Sequence, residues 1–265
     1  MKKKYFLLSA AALLLLPLVS CGGGSFKDCD TLSGYIHKFS NKVSQEEHAK
    51  VVAKLLAHQV NHEGASYELY GYMASEKVTV KNKDKNNESV KERTSQMFTY
   101  AALDAKNHVS RQESKEKLVE TEKGGDNKSN EKSESSSHNN GGYQEVNDKV
   151  YRVDAVNEEY ENLTREWDTF VNNLSPYRFF APSLITGLLE PEYYIDGNTY
   201  TVDSTLATEQ ITIEDNKITK VIHNKKFSKL DTGITTESCE YAEVTFKDVN
   251  LKPFDTKGYT EIESL

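Results

Sequence analysis

Residues 67–83 read YELYGYMASEKVTVKNK, and this stretch decides how the rest of the chain is interpreted. Residues of one parity are mostly apolar, namely Tyr70, Tyr72, Ala74, Val78 and Val80, whereas the other parity is mostly small or polar. Because successive side chains of a strand point to opposite faces of a sheet, this alternation predicts one half-buried strand or two consecutive strands. Glu76 interrupts the apolar parity and predicts a bulge or bend at that position.

The alternation continues downstream of this stretch. Phe98, Tyr100 and Ala102 repeat it in the next segment, and residues 108–120 and 143–154 follow with weaker strand patterns. Between the last two segments, residues 123–142 contain no apolar side chain. A polar, low-complexity composition of this kind predicts a disordered loop over residues 123–142.

The C-terminal part of the chain predicts further strands joined by tight turns. Asp196-Gly197 and Asp215-Asn216-Lys217 each separate two alternating runs, which is typical of hairpins. In the last long run, Ala242, Val244 and Phe246 share one parity. Strands that follow one another through hairpins pair antiparallel, so the sequence predicts an antiparallel sheet.

Two segments have helical spacing. Ser44 and Glu47 form a capping-box pattern that predicts a helix over about residues 45–62. Residues 157–176 predict a second helix, from the spacing of Tyr160, Leu163, Trp167, Phe170, Val171 and Leu174, and residues 182–189 a short third piece. Since one face of the sheet must be covered, the predicted fold class is α+β, a large curved antiparallel sheet with helices covering one face.

The N-terminus has the pattern of an export signal. Three lysines precede an apolar run that is too short to span a bilayer, and the run ends in Leu18-Val19-Ser20-Cys21. This ending resembles the lipobox of bacterial lipoproteins. The resemblance implies that residues 1–20 are a lipoprotein signal peptide and that Cys21 is acylated, which would anchor the protein on the extracytoplasmic side of the cell membrane. Residues 21–43 are then expected to be a flexible tether and residues 44–265 a single domain.

Composition restricts the classes of partner. The formal net charge is −8 at pH 7, which argues against nucleic acid because phosphate binding needs a basic face. Cys29 and Cys239 are the cysteines that remain beside Cys21. Export permits a disulfide between them, but two unpaired thiols fit the sequence equally well.

The order of the predicted elements is similar to that of the lipoprotein-carrier superfamily, which includes the LolA-like and LppX/LprG-like half-barrels. The matching segments are VSQEEHAKVVAKLLAHQV, the central WDTFVNNLSPYRFFAPSLITGLL, and QITIEDNKITKVI with EYAEVTFKDVNLKPF. The resemblance covers about residues 44–254 and implies a half-barrel with an apolar cavity that holds a lipid or another amphiphile. Its implied lining is Leu55, Leu56, Tyr70, Tyr72, Trp167, Phe170, Val171, Phe179 and Phe180. The alternative is that the same side chains simply form the core.

The sequence carries no recognised catalytic motif. His58 and His62 are one helical turn apart, but Gln59 stands where the zinc-protease pattern needs a glutamate. We therefore expect no enzyme activity, no metal and no cofactor. The leading hypothesis is a membrane-anchored surface lipoprotein that binds an amphiphile. The alternative is a structural or adhesive surface protein with a dry core and a protein partner whose identity the sequence does not indicate.

Overall fold

The computed structural model describes residues 26–35, 39–50, 53, 66–84, 87–124, 131–163, 165–167, 191–205, 207–215, 217–231 and 234–263. These residues contain one complete short helix, α1 (Cys29–Ser33), and the strands of a single sheet. The strands are β1 (Lys42–Val43), β2 (Tyr67–Asp84), β3 (Asn87–Asp104), β4 (Val109–Gly124), β5 (Glu131–Val146), β6 (Lys149–Asp154), β7 (Glu159–Leu163), β8 (Glu192–Asp196), β9 (Thr199–Asp203), β10 (Ala207–Glu214), β11 (Lys217–Asp231), β12 (Ile234–Phe246) and β13 (Thr260–Ile262).

The sheet is open and almost entirely antiparallel. Its strand order is β1-β8-β9-β10-β11-β12-β2-β3-β4-β5-β6-β7-β13. Only the contact between β13 and β7 is parallel among the strand pairs that the structure describes. Most neighbours in the sheet are also neighbours in sequence, as the hairpin turns predict. The turns at Asp196-Gly197 and after Asp215 are confirmed, because they join β8 to β9 and β10 to β11.

Both faces of the sheet are buried near its centre. On what we call the Trp face, Tyr67 and Leu69 of β2 pack in a cluster that includes Val244 and Trp167. On the opposite face, the Tyr face, Tyr72 belongs to a second cluster with Ala74, Phe98, Tyr241 and other residues. The alternation in residues 67–83 therefore predicted the strand correctly but only one of its two buried faces. The predicted irregularity near Glu76 is confirmed, since the register of β2 shifts beside it on both neighbours.

An N-terminal strap, residues 26–35 and 39–43, is held by the sheet, and its first part lies on the Tyr face. Asp28 caps α1 by accepting a hydrogen bond from the Thr31 backbone N–H at 2.8 Å, and Leu32 is completely buried. A disulfide joins Cys29 to Cys239 of β12, with a Cα–Cα distance of 5.4 Å. Of the two possibilities left by the sequence, the structure thus contains the bond.

The N-terminal strap corrects the prediction of a flexible tether over residues 21–43. Residues 21–25 and 36–38 lie outside the described residues, but residues 26–35 and 39–43 are held against the sheet. At the far end of the strap, β1 pairs with β8, and the Phe39 ring lies 4.6 Å from the Tyr194 ring. The tether prediction failed from residue 26 onward because burial of Leu32 and the disulfide fix a segment whose composition alone suggested a linker.

A C-terminal strap, residues 249–259, covers another part of the Tyr face. The Leu251 backbone N–H donates to Asp104 at 2.9 Å, and the Phe254 backbone N–H donates to Gln144 Oε1 at 2.5 Å. Arg111 donates to the Lys252 carbonyl at 2.7 Å, and its guanidinium lies 4.0 Å from the centre of the Phe254 ring. The strap ends in β13, so both ends of the domain are tied to the sheet.

The predicted fold class is wrong. The described chain is one large open sheet and not an α+β domain whose helices cover one face of a curved half-barrel. Irregular straps, α1 and the strands themselves bury the side chains that the helices were expected to cover. The predicted helix over 45–62 is confirmed for residues 45–50, with the Glu47 N–H bonded to the Ser44 hydroxyl at 3.2 Å, and from residue 51 it lies outside the described residues apart from helical residue 53.

Two further predictions need correction. Residues 159–163 form β7 and not the start of a helix, because backbone pairing with β6 outweighs the helical spacing of Tyr160 and Leu163. Residues 123–124 end β4 and residues 131–142 belong to β5, so most of the predicted disordered loop is strand. β5 forms without apolar side chains there because its backbone groups pair with β4 in unbroken register. Residues 125–130 and the predicted helical piece 182–189 lie outside the described residues.

Candidate functional site

The structure does not bring the predicted ligand-binding side chains into one cavity. Tyr72 is 2% exposed on the Tyr face, and Trp167 is 3% exposed on the opposite face. Tyr70 is half-buried on the Tyr face. Leu55, Leu56, Phe170, Val171, Phe179 and Phe180 lie outside the described residues, as do Cys21, His58 and His62. Tyr72 and Trp167 therefore contribute to two separate clusters of the core.

A row of side chains crosses the Tyr face between the two straps. In register across β12, β2, β3 and β4 lie Glu243, Tyr70, Tyr100 and Glu113, which we call the tyrosine row. The rings of Tyr70 and Tyr100 are tilted, with centroids 4.9 Å apart, and both side chains are half-buried. The alternation of β2 and β3 places both rings on this face. The row thus has an aromatic centre and a carboxylate at each end.

The rows on either side of the tyrosine row carry the straps. On one side Tyr241 and Tyr72 lie in register, and Tyr35 of the N-terminal strap packs on Tyr241 with ring centroids 5.1 Å apart. On the other side Ala102 and Arg111 lie in register, and Arg111 holds the C-terminal strap. The two straps therefore leave the half-buried tyrosine row between them.

Burial and ion pairs set the electrostatics of the row. Glu243 pairs with Lys220 at 2.8 Å, and Glu113 pairs with Lys115 at 2.8 Å and with His138 at 3.0 Å. Partial burial acts to raise the pKa of Glu113, but hydrogen bonds from Lys115 and His138 outweigh it and hold that pKa below its usual value. Each carboxylate at an end of the row thus has a basic partner.

The hydroxyl of Tyr100, and that of Tyr72 in the neighbouring row, are held in their neutral form. Tyr100 donates to Glu68 Oε1 at 3.3 Å, and Glu68 in turn contacts Lys247. Burial, followed by the nearby charge of Glu68, raises the pKa of Tyr100. Burial next to Tyr35 and Tyr70 raises the pKa of Tyr72 to about 12. Neutral tyrosines with charged pairs beside them form an amphiphilic surface that can accept an apolar group at the centre and a polar group at either end.

Sequence reasoning found Tyr70 and Tyr72 but missed Tyr100, Glu113 and the straps. Which side chains lie beside Tyr70 depends on the register between strands, and register was not assigned from the sequence. The sequence does contain a repeated motif at two turns, however. Asp104-Ala105-Lys106-Asn107 and Asp154-Ala155-Val156-Asn157 have the same D-A-x-N pattern, and both are turns between neighbouring strands. The first of these turns holds the strap.

No protein-family model matches the chain, and no curated protein matches its sequence. In the part of the chain that the structure describes, no helix has the length and apolar character needed to cross a membrane. Within the same residues, no group of three or more His, Cys, Asp or Glu side chains is placed to hold a metal ion.

Proposed function

We propose that this protein is a lipid-anchored bacterial surface protein that binds an amphiphile on the tyrosine row and has no enzymatic role. The lipobox pattern at Leu18–Cys21 supports the anchor. The observation that carries the binding proposal is the half-buried pair Tyr70–Tyr100 between two ion-paired carboxylates.

The anchor would keep the domain close to the membrane. From Cys21 to the start of the N-terminal strap at Phe26 is five residue steps, which can reach at most about 18 Å when fully extended. An amphiphile that leaves or approaches the bilayer would meet the protein over a short distance. This proximity supports a ligand drawn from the membrane over one dissolved in bulk water.

The first prediction concerns the anchor. Cys21→Ser removes the sulfur that would be acylated, so the protein should move from the membrane fraction to the soluble fraction or accumulate unprocessed. Ser25→Ala is the matched control, because it leaves both the sulfur of Cys21 and the Cys29–Cys239 disulfide in place and should not change the fraction. Unchanged processing and membrane retention of the Cys21→Ser protein would contradict the lipid anchor.

The second prediction concerns the tyrosine row. The double variant Tyr70→Ala/Tyr100→Ala should weaken the binding of a fluorescent fatty acid about tenfold or more, since contact with one or two aromatic rings contributes about 1–2 kcal/mol. Tyr160→Ala, on the same face but remote from the row at β7, serves as control. Native mass spectrometry before and after organic extraction checks whether a lipid co-purifies. Equal affinity of the double variant and the wild type would show that the tyrosine row does not bind the fatty acid.

The alternative is an adhesive surface protein with a protein partner. One observation favours it specifically, namely a strand edge on β5 that no described strand covers. A protein partner can bind that edge whether or not an amphiphile occupies the tyrosine row.

A further inference from the structure

β5 is paired on both sides for only part of its length. On one side it pairs with β4 from Glu131 to Gln144, whereas on the other side it pairs with β6 only from Gly141 onward. Among the described residues, no strand pairs with the outer side of residues 131–139. The last backbone contact on that side is the Ala155 N–H donating to the Asn140 carbonyl at 2.8 Å. In the described part of the chain, β5 thus has a free edge over residues 131–139, although it lies in the interior of the strand order.

The direction of the free backbone groups follows from that last contact. In an extended strand the N–H and C=O of one residue point to the same side, and this side alternates from residue to residue. Since the Asn140 carbonyl points away from β4, the N–H and C=O groups of Lys132, Glu134, Ser136 and His138 point outward as well. The odd-numbered residues between them direct theirs to β4.

This edge has few of the features that usually prevent strands from pairing. Residues 131–140 contain no proline, and the register with β4 runs without a bulge. Residues 132–139 are exposed, and Ser135, Ser136 and Ser137 at the centre are small and uncharged. Long, regular edges of this kind are templates for an added strand.

We propose that the outer edge of β5 binds an extended basic segment of another protein by strand addition. Ser133 and Ser137 stand directly beside Glu120 and Glu116 of β4. An added strand would lie about 10 Å from β4, twice the usual strand spacing, with only short serine side chains between them on that face. A Lys or Arg side chain of the partner can reach over the serines to these carboxylates.

The charges favour a basic partner over a second copy of this chain. No hydrogen bond or ion pair joins the side chain of Glu116 to another residue that the structure describes, whereas Glu120 pairs with Arg93 at 3.7 Å. The whole chain has a net charge of −8. Antiparallel self-pairing centred on Ser135 would bring together two chains that each carry a net charge of −8, and this repulsion opposes association. It would also leave the side chains of both copies of Glu116 without a basic partner. A basic segment makes the same backbone bonds without this repulsion.

Two labelled nine-residue peptides test the proposal on the full-length protein in detergent. One alternates Lys with Thr and the other alternates Glu with Thr, so that both favour strands and differ only in charge. We expect the basic peptide to bind at least tenfold more tightly by fluorescence anisotropy. We also expect it to slow amide hydrogen exchange at residues 132, 134, 136 and 138. Binding of the basic peptide without this protection, or equal binding of both peptides, would overturn the proposal.

Ser136→Pro provides the matched variant. It removes an outward N–H and leaves the ladder to β4 in place, so binding of the basic peptide should fall at least tenfold, whereas Ser136→Thr should bind like the wild type. Unchanged binding by Ser136→Pro would contradict strand addition.

If Ser136→Pro also exposes the amides of residues 133, 135 and 137, the β4–β5 ladder itself has been disturbed. Glu116→Gln then decides the question, because it leaves the backbone intact. It should reduce the preference for the basic peptide by at least threefold, and an unchanged preference would overturn the proposal. Neither outcome depends on amphiphile binding at the tyrosine row.

Discussion

At the scale of single residues, two aspartates with the same local geometry have different surroundings. Asp104 accepts from the Asn107 backbone N–H at 3.0 Å and from the Asn107 side-chain amide at 2.6 Å, and Asp154 makes the same two bonds to Asn157. Asp104 is completely buried and also holds Leu251 of the C-terminal strap. Variants at the two aspartates can therefore separate the contribution of the turn to stability from the contribution of the contact with the C-terminal strap.

We predict that Asp104→Ala lowers the free energy of unfolding by about 2 kcal/mol more than Asp154→Ala. This difference is the contribution of a hydrogen bond to a buried charged group, together with the cost of leaving the Leu251 backbone N–H unpaired. Chemical denaturation of both variants, followed by the fluorescence of the single tryptophan, measures it. Equal losses for the two variants would show that the strap contact adds nothing.

The same residue predicts a dependence on pH. Burial acts to raise the pKa of Asp104, but its hydrogen bonds from Asn107 and Leu251 outweigh burial and hold the folded pKa below 3.8. The stability that the ionised carboxylate contributes is therefore present above the unfolded value of 3.8 and is lost as the pH falls through the lower folded pKa. As the pH falls through that range, the free energies of unfolding of the wild type and of Asp104→Asn should accordingly become more similar.

At the scale of elements, two glycines of β5 allow the neighbouring strands to approach closely. A Cβ on Gly141 would lie 2.3 Å from the Val153 carbonyl oxygen of β6, and one on Gly142 would lie 2.1 Å from the Ser110 carbonyl oxygen of β4. Only glycine permits both backbones to approach so closely. This is also the point where β6 leaves the edge of β5.

We predict that Gly141→Ala destabilises the protein by about 1–3 kcal/mol, because the added methyl group meets backbone that cannot move freely. Ser137→Ala on the exposed part of the same strand is the control and should change stability by less than about 0.5 kcal/mol. Thermal unfolding of the two variants checks the prediction, and a wild-type melting temperature for Gly141→Ala would contradict it.

Element types were predicted well where apolar residues alternate and poorly where they do not. The strand after Tyr67 and both late hairpin turns follow from alternation and turn residues. β5 could not be predicted from its composition, because its exposed half is held by backbone pairing with β4 and not by burial. β7 failed for a different reason, since the spacing of Tyr160 and Leu163 fits one face of a helix, whereas in the strand the two side chains point to opposite faces of the sheet.

At the scale of the whole molecule, the fold class was missed because both faces of the sheet bury side chains. Tyr67 and Leu69 face one cluster, and Tyr72 and Ala74 face the other. The alternation in residues 67–83 indicates only one buried face for this strand, and a sheet with one buried face needs helices or another layer to cover it. Two straps at the chain ends cover much of the Tyr face in their place, and their positions depend on contacts between residues far apart in sequence.

The disulfide gives a prediction at this scale, because it joins residues that are 210 positions apart. The double variant Cys29→Ala/Cys239→Ala should lower the free energy of unfolding by about 3–5 kcal/mol. Without the bond, the unfolded chain is no longer closed into a long loop, so its conformational entropy rises. Denaturant unfolding measures it, and a reducing agent should destabilise the wild type but not the double variant. An equal effect of the reducing agent on both proteins would show that the bond does not contribute.

The same bond determines where mechanical load would enter the protein. If the chain is attached at Cys21, a pull on that attachment travels through the N-terminal strap and reaches Cys29 before any residue of the sheet. From there the covalent link passes the load to β12, which lies in the interior of the strand order with β11 on one side and β2 on the other. A force that would otherwise first detach the N-terminal strap and then separate the strands from the β1 edge is instead shared by the β11–β12 and β12–β2 ladders.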